Sequence, residues 1–135
     1  MNGSRVVVGP LPLSATSISA YVGAIDTAPR NQFSLAIYSD SNGKPAALVA
    51  QTANGTLKAK SWNTLPIAAT LNANTAYWIF YNTNAGSGSL NNLYYDTDPS
   101  EVGAYGQVTF GTWPSTYGAS TLGGWRYTLY ISGTT

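Results

Sequence analysis

The sequence predicts an all-β protein: a single antiparallel β-sandwich, jelly-roll-like, with about eight to ten short strands. No segment keeps apolar residues at helical spacing, and Gly or Pro interrupts most stretches that would be long enough for a helix. Short runs of alternating apolar and polar residues recur instead, separated by clusters of turn formers. The 135 residues suffice for one domain, 1–135, and ten Tyr and four Trp supply apolar area for its core. Residues 1–4 are expected to be linker or added residues outside the fold.

The first predicted strands lie in the N-terminal half of the chain. Ser17–Val22 and Gln32–Tyr38 alternate apolar and polar residues, which is typical of a strand with one face on a core. Ser39–Pro45 is rich in turn formers, and Pro45 is unsuited to a central strand because it has no N–H group. Further strands are predicted at Ala47–Thr52, Thr56–Lys60 and Trp62–Ala68, with a hairpin turn at Asn54-Gly55.

The segment Ala76–Asn82 is the most apolar of the predicted strands. Its odd positions carry Tyr, Ile and Tyr and its even positions carry Trp and Phe, so both faces are apolar. Such a strand is typical of the centre of a sheet that is covered on both sides. Tyr77 and Tyr81 are therefore expected in the core. Trp62 and Trp78 are expected there as well, because their indole rings have the right size to fill the layer between two sheets. The remaining predicted strands are Leu93–Asp96, Tyr105–Phe110 and Arg126–Ser132, and the long loops are Thr83–Asn92 and Gly111–Trp125.

Composition argues against several classes of function. The net charge is +1 and the six basic residues are scattered, so neither nucleic acid nor an anionic membrane is expected as a partner. No apolar run approaches the ~20 residues of a spanning helix, so membrane insertion is not expected. The chain has no His and no Cys, which removes the commonest general base and the thiol nucleophile, and no catalysis is expected. The first residues do not resemble a signal peptide, whereas low charge and abundant Ser, Thr, Asn and Tyr favour a mature extracellular or cell-surface protein.

The one local concentration of acidic residues is formed by Asp96, Asp98 and Glu101. These carboxylates, with backbone carbonyls, would suit a calcium ion, which prefers oxygen ligands in irregular loops. A solvated turn at Asp98-Pro99 is the alternative explanation of the same residues. A carboxylate pair for glycoside hydrolysis is a third interpretation, and it depends on how the fold brings acids together.

The loop Gly111–Trp125 carries three aromatic residues among Gly, Ser and Thr. Exposed rings flanked by hydroxyls suit sugars, because the C–H face of a pyranose packs on a ring while its hydroxyls bond neutral groups. Pro114 would stiffen the preceding Trp and lower the ordering cost of binding. The alternative is that these rings fold back to cover the sandwich. The predicted ligand-binding residues are Trp113, Tyr117, Trp125, Tyr105, Tyr94 and Tyr95.

Three segments in the middle of the chain share a recognisable pattern: A-I-Y-S-D-S-N-G-K-P-A-A-L-V-A-Q-T at 36–52, S-W-N-T-L-P at 61–66 and L-N-A-N-T-A-Y-W-I at 71–79. The pattern resembles that of β-sandwich accessory modules, similar to carbohydrate-binding modules, in secreted and cell-surface proteins of bacteria and archaea. Asn74 stands where this pattern usually has Gly. The resemblance covers residues 14–82 and implies a jelly-roll-like sandwich in an extracellular setting, with no particular ligand.

These observations predict a non-catalytic carbohydrate-binding module of a larger secreted protein, whose partner is a polysaccharide or glycan. The alternative is a structural or adhesive module of a surface assembly, such as a fibre, pilus, sheath or virion component. In that case the aromatic surface would serve self-association. A small carboxylate-based enzyme that cleaves polysaccharides is a third hypothesis. No cofactor is expected apart from the calcium ion considered above.

Overall fold

The computed structural model describes residues 1–135 and consists of strands, turns and loops without a helix. Its twelve strands are β1 (Asn2–Val7), β2 (Leu13–Val22), β3 (Gln32–Ser41), β4 (Lys44–Gln51), β5 (Gly55–Thr56), β6 (Ser61–Leu71), β7 (Ala76–Thr83), β8 (Tyr95–Thr97), β9 (Gly103–Tyr105), β10 (Thr121–Gly123), β11 (Trp125–Tyr127) and β12 (Leu129–Thr134). The predicted all-β sandwich is confirmed. The structure has more strands than the eight to ten predicted, because the C-terminal third contains strands of only three residues, which are too short to show alternation.

The strands form two packed antiparallel sheets and a short ribbon. The larger sheet has the order β10-β9-β1-β7-β3-β4, and β5 pairs with β3 as its seventh strand. The smaller sheet has the order β12-β2-β6, and β8 pairs with β11 in the ribbon. Both β12 and β6 are therefore edge strands of the smaller sheet.

Strand β1 corrects the expectation that residues 1–4 lie outside the fold. It pairs with β7 on one side and β9 on the other, near the middle of the larger sheet. Gly3 and Ser4 are buried, and a Cβ at residue 3 would collide with the ring of Phe80, so glycine allows the close approach. The sequence did not reveal this strand because Asn2-Gly3-Ser4 is polar and shows no alternation.

The turn predicted at Asn54-Gly55 is not a hairpin. In a hairpin the two joined strands pair with each other, whereas β4 and β5 both pair with β3, along the same edge of it. Pro45 lies at the start of β4, which is the outermost strand of the larger sheet. Its missing N–H group therefore interrupts no central ladder, in agreement with the prediction.

The main core lies between the two sheets and contains 15 buried residues. Tyr77, Ile79 and Tyr81 face it from β7, and Ile18 and Val22 face it from β2. The prediction that Tyr77 and Tyr81 belong to the core is confirmed. The alternating strands β2, β3 and β7 thus bury the faces that their sequences predicted.

A second apolar cluster lies on the opposite face of the larger sheet. Tyr38 of β3 and Trp78 and Phe80 of β7 are fully buried there. Trp78 is therefore buried as predicted, although on the outer side of the larger sheet and not between the sheets. Because β7 is buried on both faces, its prediction as a central, doubly covered strand is confirmed.

A carboxylate anchors one end of this cluster. Asp40 Oδ1 accepts hydrogen bonds from the indole N–H of Trp78 at 2.8 Å and from Arg5 Nε at 2.9 Å, and Gly43 N–H donates to Oδ2. Partial burial of Asp40 raises the pKa of its carboxyl, but the bonds from Arg5, Trp78 and Gly43 outweigh that effect and hold the pKa below its ordinary value. The ionised carboxylate therefore stabilises this side of the larger sheet.

Candidate functional site

The loop between β9 and β10, residues 106–120, folds back over the outer face of the larger sheet, and we call it the lid. Trp113 is 8% exposed and Tyr117 is 7% exposed. The indole N–H of Trp113 donates to Ser34 Oγ at 3.0 Å, and the ring of Tyr117 stacks on Phe80 with ring centroids 4.5 Å apart. The expectation that Trp113 and Tyr117 form an exposed platform is therefore wrong, and the alternative, rings that cover the sandwich, is what the structure shows.

The lid is held by hydrogen bonds to the strands beneath it. Tyr117 N–H donates to Ala46 O at 2.7 Å and Leu48 N–H donates to Ser115 O at 2.9 Å, which pairs the lid with the open edge of β4. The Tyr38 hydroxyl donates to Pro114 O at 2.6 Å, and burial raises the pKa of Tyr38 to about 12. The two-sided apolar pattern of β7 was the signal for this arrangement, since its outer face needs a cover rich in aromatic residues.

Four other aromatic side chains form a contiguous line on the outer surface of the smaller sheet, and we call it the aromatic row. It consists of Tyr130 of β12, Trp62 of β6, Tyr21 of β2, and Tyr94 just before β8. The ring centroids are 4.9 Å apart for Trp62 and Tyr130, 5.5 Å for Tyr21 and Trp62, and 5.6 Å for Tyr21 and Tyr94. Of the predicted binding residues, only Tyr94 belongs to this row.

Trp62 is 49% exposed, so its expected place in the core is wrong. Strand β6 buries Asn63, Ile67 and Leu71 and exposes the alternate residues. The period of two in this strand therefore required Trp62 to point outward once Leu65 and Ile67 were placed inward. The size of the indole ring was a poorer guide than the alternation.

The three strands beneath the aromatic row are uncharged and carry hydroxyl groups. None of the residues in β2, β6 and β12 is Asp, Glu, Lys or Arg. Ser19 Oγ and Thr64 Oγ1 are hydrogen-bonded at 2.7 Å across β2 and β6. Ser14 and Thr70, a cross-strand pair farther along the same two strands, are both exposed.

Thr128 fixes the part of the row formed by Tyr21 and Tyr94. Its hydroxyl donates to Tyr21 O at 2.8 Å, its N–H donates to Tyr94 O at 3.1 Å, and Tyr94 N–H donates to its hydroxyl at 3.2 Å. The Tyr94 ring also lies against Gly23, where a Cβ would stand 2.8 Å from the Tyr94 hydroxyl. These bonds fix the backbone that carries both rings, which come from distant parts of the chain.

The polar atoms of the row differ from those of the buried aromatic residues. The buried rings donate inside the protein, as Trp113 does to Ser34 and Tyr81 does to Asn91 O at 2.6 Å. Trp62, Tyr94 and Tyr130 are each about half exposed. The indole N–H of Trp62 and the hydroxyls of Tyr94 and Tyr130 make no hydrogen bond within the chain. These groups are free to bond a ligand.

The other predicted binding residues gather at a separate place. Tyr95 of β8, Tyr105 of β9 and Trp125 of β11 line a pocket of about 360 Å³ together with Tyr127, and we call it the edge pocket. Tyr105 and Trp125 have ring centroids 5.5 Å apart, and those of Tyr95 and Tyr127 are 5.9 Å apart. Tyr95 and Tyr105 are exposed and Trp125 is half-buried.

The structure does not gather the acidic residues predicted as calcium ligands into a cluster of three or more metal-ligating side chains. Asp98 instead accepts hydrogen bonds from Ser100, at 3.0 Å from N–H and 2.7 Å from the hydroxyl, and these bonds lower the pKa of the Asp98 carboxyl. Asp96 is exposed and lies 4.0 Å from Arg126 Nη2. This geometry of Asp96, Asp98 and Glu101 supports the alternative explanation, a solvated Asp-Pro turn.

Comparisons of the chain with protein-family models, with curated protein sequences and with solved structures found no match. The structure contains no helix with the length and apolar character needed to cross a membrane.

Proposed function

We propose that the protein is a non-catalytic carbohydrate-binding module that holds a neutral polysaccharide on the outer face of its smaller sheet. The observation that carries this proposal is the contiguous aromatic row, which lies on a sheet whose strands are uncharged and bear hydroxyl groups. Abundant Ser, Thr, Asn and Tyr, and the pattern at residues 36–79 that resembles accessory modules, support an extracellular or cell-surface location in a larger secreted protein.

The chemistry of the row matches the two sides of a sugar ring. Aromatic faces accept the apolar C–H side of a pyranose, and unpaired N–H and O–H groups at their edges bond its hydroxyls. Tyr21 and Trp62 are direct cross-strand neighbours, so their spacing is set by the sheet. Rings that are already ordered lose little conformational entropy when a ligand binds, which favours affinity.

The same surface gives little support to a cleaving enzyme. Glycoside hydrolysis uses a pair of carboxyl groups that flank the scissile bond, and the strands under the row carry no acidic residue. The nearest acid is Asp96, which lines a shallow depression beside Trp62 and Tyr94 together with Arg126. A lone, exposed and charge-paired carboxylate does not supply both an acid and a base.

Native affinity electrophoresis tests the proposal. We expect retardation in gels that contain one of the neutral polysaccharides hydroxyethyl cellulose, xylan or galactomannan, and weaker or no retardation with alginate or pectin. Trp62→Ala should abolish it, whereas Val49→Ala, an exposed apolar residue of β4 in the other sheet, should not. Absence of retardation on every neutral glycan would contradict the proposal.

A second candidate function, a structural or adhesive module of a surface assembly, is favoured by one observation. An apolar groove of about 430 Å³ runs beside the edge strand β12, and Val7 and Leu11 stand exposed in it. A second copy of the chain could cover this groove, because an edge strand offers unpaired backbone groups next to apolar surface. Sedimentation velocity over a concentration series tests this: self-association that Leu11→Ser removes supports assembly, and a monomer at all concentrations contradicts it.

A further inference from the structure

The aromatic side chains of the edge pocket are held in place by close packing against glycine residues. The ring of Trp125 packs against Gly123 of β10, where a Cβ would stand 2.5 Å from the ring, so glycine makes room for it. A Cβ at Gly103 would stand 2.8 Å from Trp125 O and 3.1 Å from the Tyr127 ring, so this glycine also permits close packing. The indole N–H of Trp125 has no hydrogen-bond partner in the chain and remains available to a ligand.

The edge pocket and the aromatic row are joined by two consecutive residues. Tyr94 is 55% exposed and packs on Tyr21 in the row, whereas Tyr95 is 59% exposed and packs on Tyr127 in the pocket. A shallow depression of about 320 Å³ lies between them and is lined by Trp62, Tyr94, Tyr95, Asp96, Arg126 and Tyr127, with Thr128 and Leu129. The depression shares Tyr95 and Tyr127 with the pocket, so the surface is continuous from the row to the pocket.

The charge along this path is balanced. Its two charged groups are Arg126 and Asp96, which form an exposed pair at 4.0 Å. Such a pair is weak and screened by water. Each group can therefore leave its partner and bond the hydroxyls of a bound sugar instead. The pair carries no net charge, so this path adds no net attraction for an acidic or a basic sugar and is compatible with an uncharged chain.

We infer that the edge pocket is a second subsite of the same ligand surface, and that the ligand is an extended neutral polysaccharide that crosses from the aromatic row into the pocket. This inference rests on the proposed function and adds a chain-length requirement to it. A short oligosaccharide reaches one subsite only, whereas a long one occupies both at once. Occupying two linked subsites raises the affinity on the order of 10²-fold over either subsite alone.

The four Trp residues provide the test, because their indole N–H resonances report on different places. Trp62 lies in the row and Trp125 in the pocket, whereas Trp78 and Trp113 are buried and bonded to Asp40 and Ser34. Titration with short and long cello-, xylo- and manno-oligosaccharides is followed by ¹⁵N–¹H correlation spectra. We expect long chains to shift Trp62 and Trp125 with one common Kd, and Trp78 and Trp113 to stay unchanged as internal controls.

Two neighbouring substitutions separate the subsites. Tyr95→Ala should reduce the affinity for long chains to the value for short ones and leave short-chain binding at Trp62 unchanged. Tyr94→Ala, the matched control with similar exposure, should weaken short and long chains alike. Both variants should keep the native melting temperature, and Tyr105→Ala provides a second pocket variant if either one does not.

The outcomes distinguish this inference from the proposed function. Long chains that shift Trp62 but leave Trp125 unchanged would overturn the second subsite and leave binding on the row intact. Two sites that titrate with unrelated Kd values would also overturn it. If no oligosaccharide of any length shifts Trp62 or Trp125, the proposed function itself fails.

Discussion

The lid and the aromatic row contain the same kinds of residue in opposite surroundings. In the lid, Trp113 and Tyr117 pack on Phe80 and Tyr38. The indole N–H of Trp113 donates to Ser34 Oγ, and the Tyr117 hydroxyl donates to Met1 Sδ. In the row, the rings contact one another across three strands, and Trp62, Tyr94 and Tyr130 are each about half exposed. The lid therefore contributes to stability, whereas we assign the row to binding.

The difference follows from the sheet on which each group lies. The outer face of the larger sheet carries Tyr38, Trp78 and Phe80, which are too apolar to face water and recruit a cover. The outer face of the smaller sheet carries Ser, Thr and small residues between its rings, and it needs no cover. An aromatic residue in a Gly- and Ser-rich loop is thus not by itself a sign of exposure.

The largest expected effect is the loss of stability in Trp113→Ala. Removing a buried Trp leaves a cavity above Ser34 and Tyr38, and we expect a loss of about 3–5 kcal/mol in the free energy of unfolding. Urea denaturation followed by circular dichroism measures it. Trp62→Ala is the matched control, with an expected change within about 1 kcal/mol because its indole is half exposed. Equal losses of unfolding free energy in the two variants would contradict the assignment of the lid to stability and of the row to binding.

The next effect is on binding by the row. Tyr130→Ala removes the ring that packs on Trp62 at the β12 end, and we expect the affinity for the retained polysaccharide to fall by about 1–2 kcal/mol. Calorimetric titration measures the change, and Val49→Ala again serves as the control. Unchanged affinity would mean that Tyr130 does not contribute to binding and that the binding surface is limited to Trp62, Tyr21 and Tyr94.

A smaller effect compares two hydroxyl deletions. Tyr38→Phe removes the bond to Pro114 O and leaves that carbonyl without its donor, so we expect a loss of about 1 kcal/mol in the free energy of unfolding. Tyr130→Phe removes a hydroxyl without a partner in the chain and should leave stability unchanged. Thermal melts of both variants check this, and a loss in Tyr130→Phe as large as in Tyr38→Phe would contradict it.

The smallest effect concerns pH and Asp40. The folded-state pKa of this carboxyl lies below its ordinary value of 3.8, so the carboxylate stabilises the fold above that pH and the stabilisation is lost as the pH falls through the folded-state pKa. Asp40→Asn should therefore flatten the acid dependence of the urea midpoint. Binding on the row should not depend on Asp40, because Asp40 lies on β3 in the larger sheet. A variant that keeps the full acid dependence would contradict this assignment.

The sequence predicted the strands that alternate and missed those that do not. β7 could be placed at the centre of a doubly covered sheet because its two faces are both apolar over several residues. β1 and the three-residue strands β9 and β10 are defined by pairing with distant strands, and their own residues carry no period. Alternation in the local sequence therefore identifies strands that bury one face. It does not identify strands whose position is set by pairing with other strands.

The candidate site was the less predictable part for the same reason. Whether Trp113 covers Tyr38 or faces water depends on contacts 75 or more residues apart in sequence, such as its bond to Ser34. The meeting of Tyr21, Trp62, Tyr94 and Tyr130 depends on the order β12-β2-β6, which a single sequence does not reveal. The outward direction of Trp62 was the one element of the row that alternation alone could have supplied.

Whether the row is the ligand surface is tested most directly by measuring polysaccharide binding of Trp62→Ala and Trp113→Ala at a temperature where both variants are folded. The polysaccharide is the one that retards the unmodified protein, and affinity is measured per folded molecule. We expect Trp62→Ala to lose binding with its stability intact, and Trp113→Ala to keep binding despite its lower stability. Binding that survives in Trp62→Ala and disappears in Trp113→Ala would contradict the assignment of the row as the ligand surface.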